Sequence, residues 1–356
     1  MNFRRILITG GAGFVGGNLA VLLRKAFPDT AVTAFDNLKR RGSELNLPRL
    51  KAHGVDFLHG DIRCREDVDD WPAFDLLIDC SAEPSVQAGI HGSPLPLVEN
   101  NLTGTVHCMD AARKRNAAFL FLSTSRVYPI PRLNGLAHRE AATRFEWTCS
   151  ERIPGFSPHG VAEDFPLDGP RSLYGATKLA GELLLAEFAY SYHMPVLVNR
   201  CGILTGPWQM GKVDQGVVTL WVARHVFGAP LRYIGFDGCG KQVRDMLHVE
   251  DLFELLVAQM RDISRWDGRV YNVGGGRPIS ASLAELTELC RRITGRCVPI
   301  ASEPATSPVD LRIWLSDSRR AMADFSWQPR RSVETIVADI CTWIRDNEDS
   351  LRPILA

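Results

Sequence analysis

Short runs of apolar residues alternate with longer amphipathic stretches through the first two hundred residues of the chain. The apolar runs have the length of strands, and we predict strands at residues 5–9, 31–35, 55–59, 76–79, 118–123 and 195–199. The intervening stretches have helical spacing, notably residues 18–25, 97–116 and 175–192. Alternating strands and helices predict an α/β fold with a doubly wound parallel sheet. Strands that are apolar throughout fit a sheet covered on both faces.

Two regions depart from this alternation. Residues 129–171 are rich in Pro, Gly and charge and are too long for an ordinary connection, so we predict an active-site excursion. The alternation also loosens after residue 206. We therefore predict a main domain over residues 1–205 and a smaller substrate-binding lobe over residues 206–356. A segment near residues 243–275 is expected to return to the main domain.

The composition argues against a protein that binds nucleic acid or a membrane. Of 356 residues, 45% are hydrophobic and 23% charged, and the formal net charge is zero. This balance gives no support for binding a nucleic acid polymer or an acidic membrane surface. No apolar run approaches the ~20 residues that span a bilayer. Residues 1–10 lead directly into a strand and a glycine loop, so we expect no signal peptide.

The nine cysteines are odd in number and widely spaced, and no Cys-x-x-Cys occurs. This usage indicates reduced thiols in the cytoplasm and predicts neither a disulfide scaffold nor a metal site.

A glycine loop near the N-terminus predicts a dinucleotide site. Gly10-x-x-Gly13-x-x-Gly16 lies between a predicted strand and helix, where backbone N–H groups can approach a pyrophosphate. Asp36 ends the second predicted strand, where a carboxylate binds ribose hydroxyls and repels a 2′-phosphate, so NAD is favoured over NADP. Lys39, Arg40 and Arg41 follow closely and soften that preference. Asp61 and Ile62 are candidate adenine contacts, although an ordinary strand-end acid remains open.

A tyrosine and a lysine four residues apart predict the chemistry. Tyr174 and Lys178 share one face of a helix, and an ammonium there can lower the pKa of the phenol. The alternative is a surface Tyr above a Lys stem. Thr124 follows Ser123 at the carboxyl end of a predicted strand, where open α/β sheets bind ligands; strand-end capping is its alternative. Together the three side chains suit alcohol oxidation, with Tyr174 as the base and Lys178 on the NAD ribose.

Several motifs together resemble one family. Gly10-x-x-Gly13-x-x-Gly16, Asn101-x-x-Gly104-Thr105, Ser123-Thr124-x-x-Val127-Tyr128 and Tyr174-x-x-x-Lys178 resemble the extended short-chain dehydrogenase/reductase family, the nucleotide-sugar epimerases and dehydratases. The resemblance implies a Rossmann domain with a small C-terminal substrate domain, assembled as a homodimer or homotetramer. The cofactor residues that we predict on these grounds are Gly10, Gly13, Phe14, Val15, Gly16, Asp36, Asn37, Arg40, Asp61, Ile62, Ser81, Ala82, Asn101, Ser123, Tyr174, Lys178 and Arg200.

The residues after the catalytic Thr separate the reactions of this family. The 4,6-dehydratases carry an Asp-Glu pair there, and the decarboxylases carry a Glu. This chain has Ser125 and Arg126, without a carboxylate, so the resemblance favours epimerisation. In that reaction bound NAD oxidises a carbinol carbon, the ketone presents its other face, and the hydride returns.

Further segments resemble one branch, the CDP-paratose 2-epimerases, also called CDP-tyvelose epimerases. They are Asp36–Gly42, Asp214-Gln215-Gly216 with Trp221, Gly240–His248 and Asp310-x-Arg312. The segment Cys80–Glu83, Pro129 and Arg171 depart from the family pattern near the expected sugar pocket, which leaves the sugar in doubt more than the reaction.

The resemblance predicts inversion at C2 of a CDP-linked hexose or deoxyhexose. The predicted substrate residues are Thr124, Arg126, Cys201, Gln209, Gln215, Lys241, Gln242, Arg244 and Arg312, with Arg244 and Arg312 on the diphosphate. His248 has a structural alternative, and Trp208 borders either the sugar or the lobe core. The competing functions are a UDP- or GDP-sugar 4-epimerase, a net nucleotide-sugar dehydrogenase and a non-enzymatic NAD-binding regulator.

Overall fold

The structure, a computed structural model, describes residues 3–150, 152–213 and 215–356. Met1, Asn2, Glu151 and Asp214, the last of which belongs to the branch motif, lie outside the described residues.

The strands of the described residues are numbered in chain order. They are β1 (Arg5–Thr9), β2 (Ala31–Asp36), β3 (Asp56–His59), β4 (Leu76–Asp79), β5 (Ala118–Thr124), β6 (His138–Glu140), β7 (Phe145–Trp147), β8 (Phe156–Ser157), β9 (Gly160–Val161), β10 (Val196–Cys201), β11 (Ile203–Thr205), β12 (Leu231–Ile234), β13 (Val243–His248), β14 (Asp267–Val273), β15 (Ser280–Ser282), β16 (Ile300–Glu303) and β17 (Ile313–Trp314).

The α-helices of the same residues are numbered likewise. They are α1 (Phe14–Ala26), α2 (Asn46–Ala52), α3 (Arg65–Asp69), α4 (Leu95–Val98), α5 (Gly104–Lys114), α6 (Ile130–Asn134), α7 (Leu173–Tyr192), α8 (Val217–Phe227), α9 (Val249–Arg261), α10 (Leu283–Thr294), α11 (Arg319–Phe325), α12 (Val333–Asp346) and α13 (Glu348–Leu355). A π-helical turn, Glu99–Thr103, joins α4 to α5.

Seven strands form one parallel sheet in the order β14-β10-β5-β4-β1-β2-β3. Helices cover the sheet and bury its apolar strands in two large cores, which confirms the predicted Rossmann-type α/β fold. The order reverses between β1 and β4, and ligands bind outside the carboxyl ends of the strands at such a reversal. The glycine loop follows β1 at this point, and Thr124 ends the neighbouring β5.

Local sequence explains where the catalytic helix begins. Ser172 caps α7, because its hydroxyl accepts a hydrogen bond from the Gly175 N–H at 3.1 Å. Tyr174 therefore lies in the first turn of α7, facing the end of β5, and Lys178 lies one turn further on.

The remaining strands form a second body beside the carboxyl edge. Strand β13 pairs with β11, β15 and β17, and β12 pairs with β16. The segment 129–171 contains α6 and two short hairpins, and it packs with this body: the Phe145 N–H donates to the Lys241 carbonyl at 2.9 Å, and the Val161 N–H donates to the Leu315 carbonyl at 2.9 Å. Strand β14 then returns to the main sheet as its last strand. Among the described residues, no helix combines the length and apolarity that crossing a bilayer requires.

Candidate active site

The glycine loop has the geometry of an anion cradle. Gly10 has φ +61°, which favours glycine, and a Cβ on Gly16 would lie 2.3 Å from the Gly10 carbonyl oxygen. Helix α1 starts immediately afterwards with Gly13 as its N-cap, without a side-chain cap and without an acidic residue in its first turn. The first turn of α1, at Phe14 and Val15, thus contributes backbone N–H groups and a helix dipole without an acidic residue of its own, which fits a pyrophosphate.

Asp36 lies at the end of β2, next to this loop. Its carboxylate accepts hydrogen bonds from the Leu38 N–H at 2.8 Å and the Ala12 N–H at 3.1 Å. Burial raises the pKa of Asp36, and these N–H groups oppose the rise. The carboxylate is thereby fixed against the loop, in the place where the sequence predicts contact with a ribose.

Asn37 and Asp61 come together at the ends of β2 and β3. The Asn37 amide donates to the Asp61 carboxylate at 2.9 Å. Hydrogen bonds from Arg63 hold the pKa of Asp61 well below its usual range. Ile62 is buried, and Gly104 leaves room for it, because a Cβ there would lie 2.7 Å from the Ile62 side chain. The adenine contacts predicted for Asp61 and Ile62 stay predictions.

Arg40 extends toward the second body of the protein. Its guanidinium donates to the Gln215 side chain and, at 2.5 Å, to the Met210 carbonyl. Both Arg40, predicted for the cofactor, and Gln215, predicted for the substrate, therefore take part in a bridge between the loop after β2 and the loop before α8. Their contacts with ligands stay predictions.

Asn101 positions the loop that follows β4. Its side chain accepts the Glu83 N–H at 2.7 Å and donates to the Glu83 carbonyl at 3.0 Å from the π-helical turn. The Ser81 N–H donates to Asp79 at 3.1 Å. The predicted cofactor residues Ser81 and Ala82 are thus held over the ends of β1 and β4, next to Gly10, whose Cβ would meet the Cys80 carbonyl at 2.8 Å.

The structure brings Thr124, Tyr174 and Lys178 together at the carboxyl end of β5. The Thr124 hydroxyl oxygen accepts the Arg126 N–H at 3.1 Å, so Thr124 also caps the following turn. Lys178 is 1% exposed, and its Nζ lies 3.9 Å from the centroid of the Phe121 ring. Burial lowers the pKa of Lys178, and the charge of Asp79 is the main opposing influence. The Thr9 hydroxyl donates to Asp79 at 2.6 Å.

The electrostatics of Tyr174 differ from the sequence-based expectation. Burial raises the pKa of Tyr174 to about 12, whereas a hydrogen bond with Thr124 and the charge of Arg126 lower it. Lys178 is expected to lower this pKa, but its ammonium lies against Phe121 and acts mainly with Asp79. The charge of Arg126 also lowers the pKa of the phenol, and the role expected of Lys178 toward that pKa stays a prediction.

Glu83 supplies an opposing charge. Its carboxylate raises the pKa of Tyr174, and Asn101 fixes its backbone. The sequence marks Glu83 as a departure from the family pattern, without a role. The phenol therefore has one positive and one negative side chain in its surroundings, from Arg126 and Glu83.

A buried ion pair underlies the catalytic helix. The Glu182 carboxylate accepts two hydrogen bonds from the Arg200 Nε, at 3.1 and 3.0 Å, and one from its Nη2 at 2.7 Å. The side chains are 6% and 4% exposed for Arg200 and Glu182. The Ser123 hydroxyl also donates to Glu182, and Arg200 Nη1 donates to the Tyr128 hydroxyl at 3.0 Å.

This pair places two predicted cofactor residues, Ser123 and Arg200, in a structural network. Their hydrogen bonds with Glu182 hold α7 to β5 and β10; direct contact with the cofactor stays a prediction. Sequence reasoning missed Glu182, although it stands four residues after Lys178, on the face that Tyr174 and Lys178 share.

Arg126 and Arg244 form a second group of charges, with Asp310. Arg244 Nη2 donates to Asp310 at 2.7 Å and to the Leu311 carbonyl at 2.6 Å. Arg126 Nη1 donates to the Val309 carbonyl at 3.2 Å. Burial lowers the pKa of Arg126 to about 10, and Arg244 acts in the same direction while Asp310 opposes it.

Arg312 has different surroundings from Arg244, its predicted partner. Its guanidinium donates to the Asn134 carbonyl at 3.2 Å and lies 5.6 and 5.2 Å from the ring centroids of Phe145 and Phe236. The structure thus places Arg126 with Arg244, and Arg312 with the excursion.

Of the other predicted substrate residues, Gln209 and Lys241 bind other side chains, whereas Gln242 and Cys201 are buried. The side-chain oxygen of Gln209 accepts hydrogen bonds from the Thr205 hydroxyl at 3.1 Å and the Thr219 hydroxyl at 2.9 Å. The Lys241 ammonium donates to the Glu140 carboxylate at 2.6 Å. Gln242 donates to the Ile234 carbonyl at 2.9 Å, and its buried Oε1 has no hydrogen-bond partner among the described residues. Cys201 lies opposite Thr124 in the sheet, and burial raises the pKa of its thiol to about 12.

His248 and Trp208 have structural positions. His248 Nδ1 accepts the Glu250 N–H at 3.1 Å and caps α9. Arg49 lies over the Trp208 ring at 4.7 Å, and Trp208 packs 5.9 Å from Trp343, measured between ring centroids. These contacts favour the structural alternatives for both residues.

Comparison with known proteins agrees with this geometry. Residues 6–274 match the NAD dependent epimerase/dehydratase family. The chain is 29% identical to the CDP-paratose 2-epimerase of Salmonella typhi, over 95% of this chain and 98% of that protein. It is also 29% identical to the dTDP-glucose 4,6-dehydratase of Streptomyces niveus, over 98% of this chain and 95% of that protein.

A solved structure with the same fold is the UDP-glucose 4-epimerase of Thermotoga maritima with UDP-glucose. The TM-score is 0.77 at 24% identity, and the match covers 97% of this chain and 99% of the other. The family match covers most of the chain, and the glycine cradle, Asp36 and the Thr124, Tyr174 and Lys178 group fit the cofactor named in it. The chain belongs to the NAD dependent epimerase/dehydratase family, and its cofactor is NAD.

Proposed function

We propose that this enzyme is a nucleotide-sugar epimerase that inverts C2 of a CDP-linked hexose or deoxyhexose through a transient ketone. The observation that carries the proposal is the turn after Thr124. This turn contributes Arg126 and no carboxylate to the surroundings of the base Tyr174, where the neighbouring carboxylate is that of Glu83 from the loop after β4. The similarity to a CDP-paratose 2-epimerase along 95% of the chain supports the choice of carbon and nucleotide.

The side chains support a reversible proton transfer. Tyr174 accepts the proton of the sugar hydroxyl and later returns it, while the Thr124 hydroxyl binds the same oxygen. The positive charge of Arg126 favours the phenolate. Reversible hydride transfer at the carbinol carbon is the chemistry that NAD would supply when held by the glycine loop and Asp36. Lys178, buried between Phe121 and Asp79, would hold the nicotinamide ribose.

The assay uses purified protein with CDP-, UDP-, GDP- and dTDP-hexoses, followed by NMR of the sugar ring. We expect inversion at C2 without accumulation of NADH, and we expect Tyr174→Phe to lose turnover by about a hundredfold or more. Inversion only at C4 or net NADH formation contradicts the proposal. A 4-keto-6-deoxy product would indicate dehydration, with Glu83 as the candidate acid, and loss of that product in Glu83→Gln would establish it.

We also propose a homodimer or a homotetramer in which α7 is covered by a second copy. Leu183 is 64% and Tyr190 83% exposed on this helix, and exposed apolar side chains on one element mark interaction surfaces. Light scattering of the wild type and of Leu183→Glu would test this assignment; a monomeric wild type contradicts it.

A cytoplasmic location is proposed from the cysteines. All nine are free in the structure, in keeping with a reducing compartment. Retention of full activity at a reducing glutathione potential would agree with this location.

A further inference from the structure

Arg126 is packed directly against the catalytic helix. Its backbone N–H donates to the Thr124 hydroxyl at 3.1 Å. Its carbonyl lies so close to Gly175 that a Cβ there would be 2.0 Å from the oxygen. The backbone of Arg126 is therefore fixed beside Gly175, the residue that follows Tyr174, and its side chain extends from that turn.

The guanidinium of Arg126 points toward residues 309–311, the segment that also accepts hydrogen bonds from Arg244. It donates to the Val309 carbonyl at 3.2 Å, and Asp310, the next residue, pairs with Arg244 at 2.7 Å. Among the described residues, no carboxylate lies within 4 Å of Arg126 as an ion-pair partner. Arg244 is paired with Asp310 and is also influenced by Asp245, whereas the charge of Arg126, next to the base, has no directly paired anion among these residues.

An enclosed excess charge of this kind is costly unless an anion neutralises it. A guanidinium fork matches phosphate oxygens. In a nucleoside diphosphate sugar, the phosphate next to the sugar is attached at C1. The C2 hydroxyl is on the neighbouring carbon, whereas the C4 hydroxyl is on the far side of the ring.

We propose that Arg126 binds the sugar-proximal phosphate and thereby selects C2, and not C4, as the carbon that faces Tyr174. This inference rests on the proposed function and deepens it, because it names the residue that sets the position of reaction. Carboxylates at the positions of Ser125 and Arg126, which the resemblance implies for the 4,6-dehydratases, would repel a phosphate there. Arg126 acts here as a specificity-determining residue.

The first test measures binding and needs no turnover. Calorimetry compares CMP and CDP, and UMP and UDP, on the NAD-loaded wild type, Arg126→Met and Arg126→Lys. Arg139→Met is the matched control, since Arg139 is an exposed arginine with Glu146 as its partner. We expect Arg126→Met to weaken the diphosphate about tenfold or more and the monophosphate less than twofold, with partial recovery in Arg126→Lys.

Equal losses for the mono- and diphosphate, or unchanged diphosphate affinity in Arg126→Met, overturn the inference. Unchanged affinity for the diphosphate with weaker binding only of uronic acid sugars also overturns it, because Arg126 would then meet a sugar carboxylate. If Arg126→Met fails to fold, Arg126→Lys and Arg126→Gln are compared in the same way.

The second test locates the ketone. Borodeuteride added during turnover reduces any ketone that escapes the site, and the deuterium marks its carbon. Deuterium at C2 supports the selection by Arg126, and deuterium at C4 overturns it. If no sugar is turned over, the proposed function fails by itself, while the binding test still decides whether Arg126 meets the phosphate.

Discussion

Two arginines near the catalytic helix, Arg200 and Arg126, differ in how far their positive charges are neutralised by neighbouring side chains. Arg200 donates three hydrogen bonds to Glu182 and one to Tyr128, and both members of the ion pair are almost fully buried. Arg126 has a backbone carbonyl as its hydrogen-bond acceptor and shares Asp310 with Arg244. A charge that is neutralised inside the protein holds elements together, whereas a charge that is incompletely neutralised is available to an anionic ligand.

The largest effect is expected when the partner of Arg200 is removed. Glu182→Ala leaves a buried guanidinium unpaired, and we expect it to lower the free energy of unfolding by about 3–5 kcal/mol. Arg126→Met should change the same quantity by no more than ~1 kcal/mol, because it removes a charge without a direct partner. Urea denaturation of both variants measures the contrast, and Arg139→Met controls for loss of an exposed arginine. Equal losses for Glu182→Ala and Arg126→Met would refute it.

A smaller effect is expected at the edge of the Arg200 network. The Tyr128 hydroxyl accepts from Arg200 and donates to Asn272 at 2.8 Å. Tyr128→Phe keeps the ring and leaves both groups short of one partner, so we expect a loss of ~1–2 kcal/mol in unfolding free energy. Nucleotide affinity should not change. A selective loss of nucleotide affinity would show that the network also shapes the binding site.

The smallest expected effect is a shift in the pH dependence of kcat/KM. Arg126 lowers the pKa of Tyr174 and Glu83 raises it. Removing the cation in Arg126→Met therefore raises this pKa, so less phenolate is present at a given pH and the rising limb of kcat/KM moves to higher pH. Glu83→Gln should move it to lower pH, giving severalfold changes near neutrality. Shifts of the same sign in both variants would exclude Tyr174 as the titrating base.

The sequence predicted the fold well where the signal is local. Apolar runs of strand length and the glycine loop located β1 to β5 and β10 within one or two residues, because strands covered on both faces have a uniform pattern. The excursion was predicted as an irregular segment, but its α6 and hairpins depend on packing against Phe236 and Trp314 from distant parts of the chain. No local pattern contains that information.

The sequence indicated which residues belong to the candidate site better than it indicated the contacts that they make. Motif spacing identified Thr124, Tyr174 and Lys178. The partners of Arg200, Arg40 and Arg244 could not be read from spacing, because Glu182, Gln215 and Asp310 meet them only through tertiary structure. The position of the Lys178 ammonium against Phe121 and its interaction with Asp79 likewise could not be read from the sequence, and its effect on the pKa of Tyr174 stays a prediction.

The late return of β14 to the main sheet has a consequence for biosynthesis. Strand β10 pairs with β5 on one side and with β14 on the other, yet β14 follows β10 only after β11, β12 and β13 have been translated. Until the ribosome has released residue 273, one side of β10 presents unpaired backbone N–H and C=O groups. Such an edge is a template for pairing between nascent chains. This edge of the main sheet is thus covered only once β11, β12 and β13 of the second body have been made.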